Sequence, residues 1–138
     1  MAQSMVATGT LTELLDDFVN RVPEVRQALA LSPDGLRLAA SREVDDELAE
    51  QMSSLAAGLQ ALALAAGREH GAKSVQQIVV QMVEAYLFVA ATRGGAIFVV
   101  LFTADAEIGD LAYEVAVFAG QADRHLPTYL APASGVAG

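Results

Sequence analysis

The residues best suited to chemistry in this 138-residue chain are few and lie far apart along the sequence. Histidine, the side chain that most readily moves protons near neutral pH, occurs only as His70 and His125. Each lies at the end of a predicted helix, where an imidazole ordinarily interacts with the helix dipole or with water. No Gly-x-Ser-x-Gly motif accompanies them. The sequence therefore predicts no catalytic residues and no enzyme activity.

Metal and nucleotide sites are also not predicted. Asp105, Glu107 and Asp110 resemble part of a calcium loop, but their spacing misses the EF-hand pattern, and Asp105 is better interpreted as a helix N-cap. The Gly94-Gly95 pair is not followed by the Lys-Ser/Thr of a phosphate-binding loop. The chain has no cysteine, which excludes disulfides and thiolate ligands. We expect no metal and no cofactor.

Acidic side chains outnumber basic ones by 17 to 8, which gives a formal charge of −9. Nucleic acids and anionic membranes attract proteins through Lys and Arg, so neither is an expected partner. A basic protein surface is favoured instead, because complementary charge speeds association. The sequence opens without a basic and apolar leader, and its longest uncharged stretch, 51–67, is short for a span of about 20 residues. We therefore expect a cytoplasmic domain without membrane insertion.

The periodicity of apolar residues predicts a single domain over residues 10–125, with a flexible arm at 1–9 and a flexible tail at 126–138. Thr10 and Glu13 match a capping box for the first helix, and Ser32-Pro33-Asp34-Gly35 is typical of a hairpin turn. The predicted elements are a helix at 11–21, strands at 25–31 and 36–40, a helix at 44–71, strands at 74–83, 85–92 and 96–103, and a helix at 106–124. The last two strands are apolar on both faces, which predicts helices on both faces of a five-stranded sheet.

The long second helix carries two apolar stripes. One has heptad spacing and consists of Leu48, Met52, Leu55, Leu59, Leu62 and Ala66; the other is made of small residues, Ala49, Ala56 and Ala63. Either the sheet of the same chain buries both stripes, or one flank packs on the sheet and the small-residue flank packs on a second copy. The helix opens on an acidic cluster, Glu43, Asp45, Asp46, Glu47 and Glu50, which we interpret as a solvated helix start, with a docking patch as the alternative.

The strand that follows this helix has the pattern of an unprotected sheet edge. Glutamines interrupt its β-branched residues, and only Lys73 and Glu84 guard its ends. Unprotected edges pair with other strands, so we expect a homodimer joined through this segment. The residues assigned to the dimer edge are Val75, Gln77, Ile78, Val79, Val80 and Met82.

Several segments together resemble the roadblock/dynein light chain family in its bacterial branch. They are the hairpin Ala28–Leu36, the Ala-rich helix, Gln77–Val80, Ala85–Val89 and Ala106–Gly109, in that order over about residues 10 to 125. Ala85 departs from the glycine expected before Tyr86. The resemblance implies an α+β, profilin-like fold with a five-stranded antiparallel sheet flanked by helices on both faces, in the order αββαβββα.

The resemblance also implies a function. It predicts a homodimer whose long helices lie side by side, and a non-enzymatic regulatory or scaffold subunit that binds a small Ras-like GTPase, as in actinobacterial operons that also encode a sensor kinase. The second helix, Val44–Glu69, is the expected contact surface, with Leu48, Ala49, Met52, Ala56, Leu59 and Ala63 facing the second helix of the dimer or the GTPase. The alternative is a small-molecule sensor domain, which would need a pocket with a few converging polar groups.

Overall fold

The computed structural model describes residues 2–129, with side-chain surroundings from residue 10 onward. Over that span the helices are α1 (Ala2–Arg21), α2 (Asp46–Glu69) and α3 (Ile108–Ala122), and a short 3-10 turn at Asp123–His125 follows α3. The strands are β1 (Val25–Leu31), β2 (Arg37–Ala40), β3 (Gln77–Gln81), β4 (Ala85–Ala91) and β5 (Ile97–Thr103). The predicted order of elements is confirmed. None of the helices in the described residues has the length and apolar character needed to cross a membrane.

The strands form one antiparallel sheet in the order β2-β1-β5-β4-β3. The strongly apolar β5 lies in the centre and pairs along its length with β1 and β4. The glutamine-bearing β3 lies at one edge, as its pattern predicts, and the four-residue β2 lies at the other. Because successive side chains point to opposite faces, the apolar strands must be covered on both sides.

The face covered by α1 and α3 holds the larger core. Its aromatic side chains are fully buried, and the Phe118 ring stacks on Phe18 at 4.5 Å between centroids and meets Phe98 edge-on at 5.0 Å. Such pairs each contribute about 0.5–1.5 kcal/mol beyond the burial of their area. These contacts fix both helices to one side of the sheet.

The opposite face is covered by α2 alone among the described helices. Ala49 and Ala56 are fully buried there, against a cluster that includes Leu29, Val89 and Val99. The same stripe of α2 contains two buried polar side chains, and neither Ser53 Oγ nor Gln60 Oε1 has a hydrogen-bond partner in the described part of the chain. Because a buried polar atom without a partner costs about 1–3 kcal/mol, this stripe is less favourable for packing than its alanines suggest.

Each end of α2 is closed by hydrogen bonds from neighbouring residues. The Asp45 carboxylate accepts a hydrogen bond from the Leu48 N–H at 2.8 Å and caps the first turn. At the other end Gly71 has φ +65°, its N–H donates to the Arg68 carbonyl, and the Ala72 N–H donates to the Gly67 carbonyl at 2.7 Å. This pair of bonds is the Schellman arrangement, in which glycine readily supplies the left-handed residue.

Two helix starts differ from prediction. The first helix begins at Ala2 rather than near residue 11, so Thr10 lies inside α1 and does not cap it. No proline interrupts residues 2–9, so the helix extends through most of the segment expected as a flexible arm. The N-cap of α3 is Glu107, not Asp105. Asp105 instead accepts a hydrogen bond from the Thr103 hydroxyl, which holds the pKa of its carboxyl below the ordinary 3.8.

The expected tail from residue 126 is also partly structured. Leu126 packs against the core beneath α1 and α3, and the Tyr129 N–H donates a hydrogen bond to the Gly94 carbonyl in the turn between β4 and β5. Residues 126–129 therefore contact the domain through the Leu126 side chain and through the hydrogen bond to the turn carbonyl. The rest of the predicted tail, 130–138, and Met1 lie outside the described residues.

Candidate interaction surface

The edge strand β3 pairs with β4 and with no other described strand. Directly opposed residues of an antiparallel pair share a face. Ile78 and Val80 oppose Val89 and Leu87 and face α2. Gln77 and Val79 face the other side of the sheet, where Val79 is 39% exposed. The remaining two predicted edge residues flank the strand, because Val75 precedes it and Met82 lies in the turn to β4.

The small-residue stripe of α2 does not face outward. Ala49 and Ala56 are 0% exposed because they pack against the sheet of their own chain, so they are removed from the predicted contact surface. Ala63, one heptad further along, is half-buried. The alanine stripe therefore packs on the sheet of its own chain and not on a second copy. Its small side chains let the helix backbone approach the strands closely.

The heptad stripe of α2 lies on a flank of the helix and is only partly covered. Leu48, Met52 and Leu59 are half-buried, whereas Leu55 and Leu62 are 67% and 71% exposed. The last two were absent from the predicted contact residues although they belong to the predicted heptad stripe. The signal that could have found them was this spacing combined with the alanine stripe, since a helix on one face of a sheet needs only one apolar stripe and the two together exceed what the sheet can cover completely.

The orientation of α2 shows which way this flank points. A Cβ added at Gly35, in the turn between β1 and β2, would lie 3.3 Å from the Ala57 Cβ. Leu55 and Leu59 are each two positions from Ala57, which is about 200° around an α-helix. The leucine flank therefore points away from β2 and towards β3, and Leu59 and Ile78 pack against the same core cluster.

These two features form one apolar surface, which we name the β3–α2 surface. It consists of the edge strand and the leucine flank beside it, with Ile78, Val80, Leu55, Leu59 and Leu62 as its central residues on the α2 face. No charged residue occurs between Gln51 and Gly67, so the leucine flank is uncharged along most of its length. Large exposed apolar patches on a folded domain usually mark sites of interaction with other proteins.

Charge is concentrated at the two ends of α2. Among the acidic residues at its start, Asp45 caps the helix and Asp46 accepts a hydrogen bond from Arg37 at 2.7 Å. Both carboxylates therefore have local roles, in agreement with a solvated helix start. Arg68 lies in the last turn of the helix.

The two histidines and the loop before α2 have positions that the fold explains. His70 is the C-cap of α2, and His125 lies in the 3-10 turn after α3. The Asp16 carboxylate accepts a hydrogen bond from the Arg42 N–H at 2.8 Å and lies 3.3 Å from its Nε, so Arg42 anchors the loop before α2 to α1. Within residues 2–129 no group of three His, Asp or Glu side chains is arranged to hold a metal ion.

A shallow depression on the outer side of α2 is lined by Glu50, Gln51, Ser54 and Leu55. All four side chains belong to one helix and are exposed, so the depression is open to solvent. A small-molecule sensor needs an enclosed pocket with converging polar groups. This depression does not meet that requirement.

Comparisons with known proteins agree with this architecture. The family model of the Roadblock/LC7 domain matches residues 11–102. The crystal structure of a Roadblock/LC7 domain from Streptomyces avermitilis is 32% identical, with a TM-score of 0.77 over 83% of this chain and 95% of that chain. No curated protein matches the sequence.

Two more distant structures share the fold. The gliding protein MglB from Thermus thermophilus is 20% identical, with a TM-score of 0.75 over 86% of this chain and 90% of that chain. Acanthamoeba castellanii profilin IB is 18% identical, with a TM-score of 0.58 over 80% of this chain and 94% of that chain. The predicted profilin-like architecture is confirmed. With the family model covering two thirds of its length, this chain belongs to the Roadblock/LC7 family.

Proposed function

We propose that the protein is a homodimeric, non-enzymatic regulatory or scaffold subunit that binds a small Ras-like GTPase in a cytoplasmic signalling system. The observation that carries the proposal is the β3–α2 surface, where an unpaired strand edge and an uncharged leucine flank lie side by side. A single copy of the chain leaves both features without a partner in its described part. A second copy supplies both at once.

The symmetry of such a dimer follows from the sheet. If β3 pairs with its own copy in antiparallel fashion, the two-fold axis is perpendicular to the sheet, and both copies of α2 lie on the same face. The helices then run antiparallel, with their leucine flanks in contact. A parallel pairing would place the helices on opposite faces and leave Leu55 and Leu62 exposed.

The free energies involved indicate that the dimer needs both the leucine contacts and the paired strand edges. Complete burial of a leucine contributes about 1.5–3 kcal/mol, and Leu55 and Leu62 of each copy already have about a third of their surface covered. Association itself costs about 4–15 kcal/mol in lost freedom of motion. The leucines therefore do not secure the dimer alone, and the backbone hydrogen bonds of the paired edges must contribute.

The GTPase is supported by the family and by the surface that pairing would create. Membership of the Roadblock/LC7 family makes the partner implied by the resemblance the first one to test. Two antiparallel copies of α2 would present a broad helical platform with Gln51, Ser54 and Gly58 on its outer side, all of which are exposed. The acidic ends of the platform favour a partner with a basic contact surface.

The test is a measurement of complex mass. The purified chain is mixed with the small GTPase encoded nearest to its gene, loaded with GDP or with a GTP analogue, and analysed by light scattering. We expect a complex that contains two copies of this chain and favours the GTP form. Equal binding of both forms would indicate a scaffold, and the absence of a complex in either state would contradict the GTPase assignment.

A further inference from the structure

The chain after α3 turns back to one end of the sheet and contacts the turn between β4 and β5. The Tyr129 N–H donates to the Gly94 carbonyl in the turn between β4 and β5. The Tyr129 phenol is also within electrostatic reach of Asp34 in the turn between β1 and β2. Partial burial, and secondarily the Asp34 carboxylate, raise the pKa of this phenol above its ordinary value of 10.0.

The two glycines of the β4–β5 turn both lie against the chain after α3. Gly95 has φ +97°, a conformation that side chains rarely adopt, and a Cβ there would also lie 2.9 Å from the Tyr129 carbonyl oxygen, so both the turn and this contact favour glycine. Gly94 does not have a positive φ, and the turn would accept alanine there. A Cβ at Gly94 would instead lie 3.2 Å from the Thr128 Cα and 3.3 Å from the Pro127 carbonyl oxygen. The close approach of residues 127–128 therefore accounts for the glycine at position 94.

The contacts that hold this segment are few. Leu126 is half-buried against the core, whereas Pro127 and Thr128 are exposed. A segment with little buried area opens at a lower free energy than the whole domain unfolds. By contrast β5, which lies beneath the turn, is buried over most of its length.

From these contacts we infer that residues 126–129 form a strap that closes this end of the sheet over Gly94 and can be released without unfolding the domain. Release uncovers the backbone of the β4–β5 turn and frees residues 127–129 from the sheet. The strap lies in a part of the fold that the proposed dimer and GTPase contacts do not include, so it stands independently of them.

Hydrogen exchange of the full-length protein tests the strap. In the wild-type chain we expect the Tyr129 amide to be protected, but less than the amides of Val99 and Val100 in β5. Gly94→Ala should accelerate exchange at Tyr129, and Gly94→Val should accelerate it further, by at least about tenfold, with β5 exchange unchanged. The graded pair keeps the test usable if the larger substitution prevents folding.

Gly120→Ala is the matched control, because Gly120 lies in α3 with nothing within 4 Å of an added Cβ. It should leave the Tyr129 amide protected. Two results would overturn the inference. One is a Tyr129 amide in the wild type that exchanges as fast as an unstructured peptide. The other is acceleration of Tyr129 and β5 together in Gly94→Ala, which would make the segment an integral part of the fold.

Discussion

The Cα of Gly35 lies so close to α2 that an added Cβ would be 3.3 Å from the Ala57 Cβ. Gly35 also has φ +93°, so both the turn and the helix contact favour glycine here. The contact brings the β1–β2 turn against the middle of α2. As a result the opposite flank of the helix, with Leu55 and Leu59, faces the free sheet edge.

Charges on the leucine flank should dissociate the dimer. Leu55→Glu combined with Leu62→Glu places carboxylates where the two copies of α2 meet, while both positions are solvent-exposed in a single chain. We expect the monomer mass in light scattering, with an unchanged circular dichroism spectrum. Leu36→Glu is the matched control, because Leu36 is 66% exposed and lies in the β1–β2 turn, away from β3. If only Leu36→Glu loses the dimer, the interface lies near the β1–β2 turn and not at the leucine flank.

A lysine on the edge strand should weaken the dimer. Val79 is partly exposed on the face opposite α2, so Val79→Lys adds a charge to β3 without burying it under the helix. Like charges on neighbouring strands cost about 0.2–1 kcal/mol per pair, and a lysine also protects an edge from pairing. We expect the dimer dissociation constant from analytical ultracentrifugation to rise severalfold. Val83→Lys, at a 95% exposed turn position, should leave that constant unchanged.

Enlarging the alanine stripe should affect folding rather than assembly. Ala56→Leu forces extra volume into the contact between α2 and the sheet, where Ala56 is 0% exposed. Overpacking of this kind costs about 1–3 kcal/mol, so the free energy of unfolding in urea should fall by that amount. Ala61→Leu, on the exposed side of α2, should change it little. If Ala56→Leu unfolds with a normal free energy but no longer dimerises, the alanine stripe belongs to the dimer interface and the prediction is wrong.

Removing the buried amide from α2 should stabilise the protein. Gln60 is 7% exposed, and its Oε1 has no hydrogen-bond partner among the described residues. Gln60→Met keeps a similar shape and eliminates the unpaired polar atom, which is worth about 1–3 kcal/mol. The urea midpoint should therefore rise, whereas Gln51→Met at an exposed position of the same helix should not shift it. A lower midpoint in Gln60→Met would mean that the amide has a partner in solution.

The Asp105 carboxyl should titrate below its ordinary pKa in the folded protein. The Thr103 hydroxyl favours the charged form, so the contribution of this bond to stability is present above pH 3.8 and is lost as the pH falls through the lowered pKa. Thr103→Val should move the pKa of Asp105 back towards 3.8 in an NMR titration. An unchanged Asp105 curve would show that the hydroxyl does not contribute.

The sequence was informative wherever a pattern had a local cause. The acidic start of α2, its end near Gly71 and the glutamines of β3 each depend on neighbouring residues, and the structure confirms these three features, with Asp45 as the N-cap. The facing of α2 depends on contacts between elements distant in sequence. Ala49 and Leu55 both belong to apolar stripes, and only the packing of the helix on the sheet shows which stripe is covered.

The same distinction explains the errors at the termini. Thr10 and Glu13 satisfy a capping box as a local pattern, but the chain before them continues the helix. The docking of Tyr129 on Gly94 joins residues far apart in sequence, and no periodicity signals it. The trace it leaves in the sequence is the Gly94-Gly95 pair, which the sequence alone does not link to a distant segment.

The two edges of the sheet differ in a way that limits how large an assembly can grow. β2 has only four residues, its register with β1 is irregular, and Arg37 stands at its start, so it offers a poor template for another strand. In the proposed dimer, pairing of β3 with its own copy would use the one favourable edge of each chain and leave β2 at both outer ends. Growth along the sheet would then stop at two chains, without the open-ended fibres that a chain with two receptive edges would form.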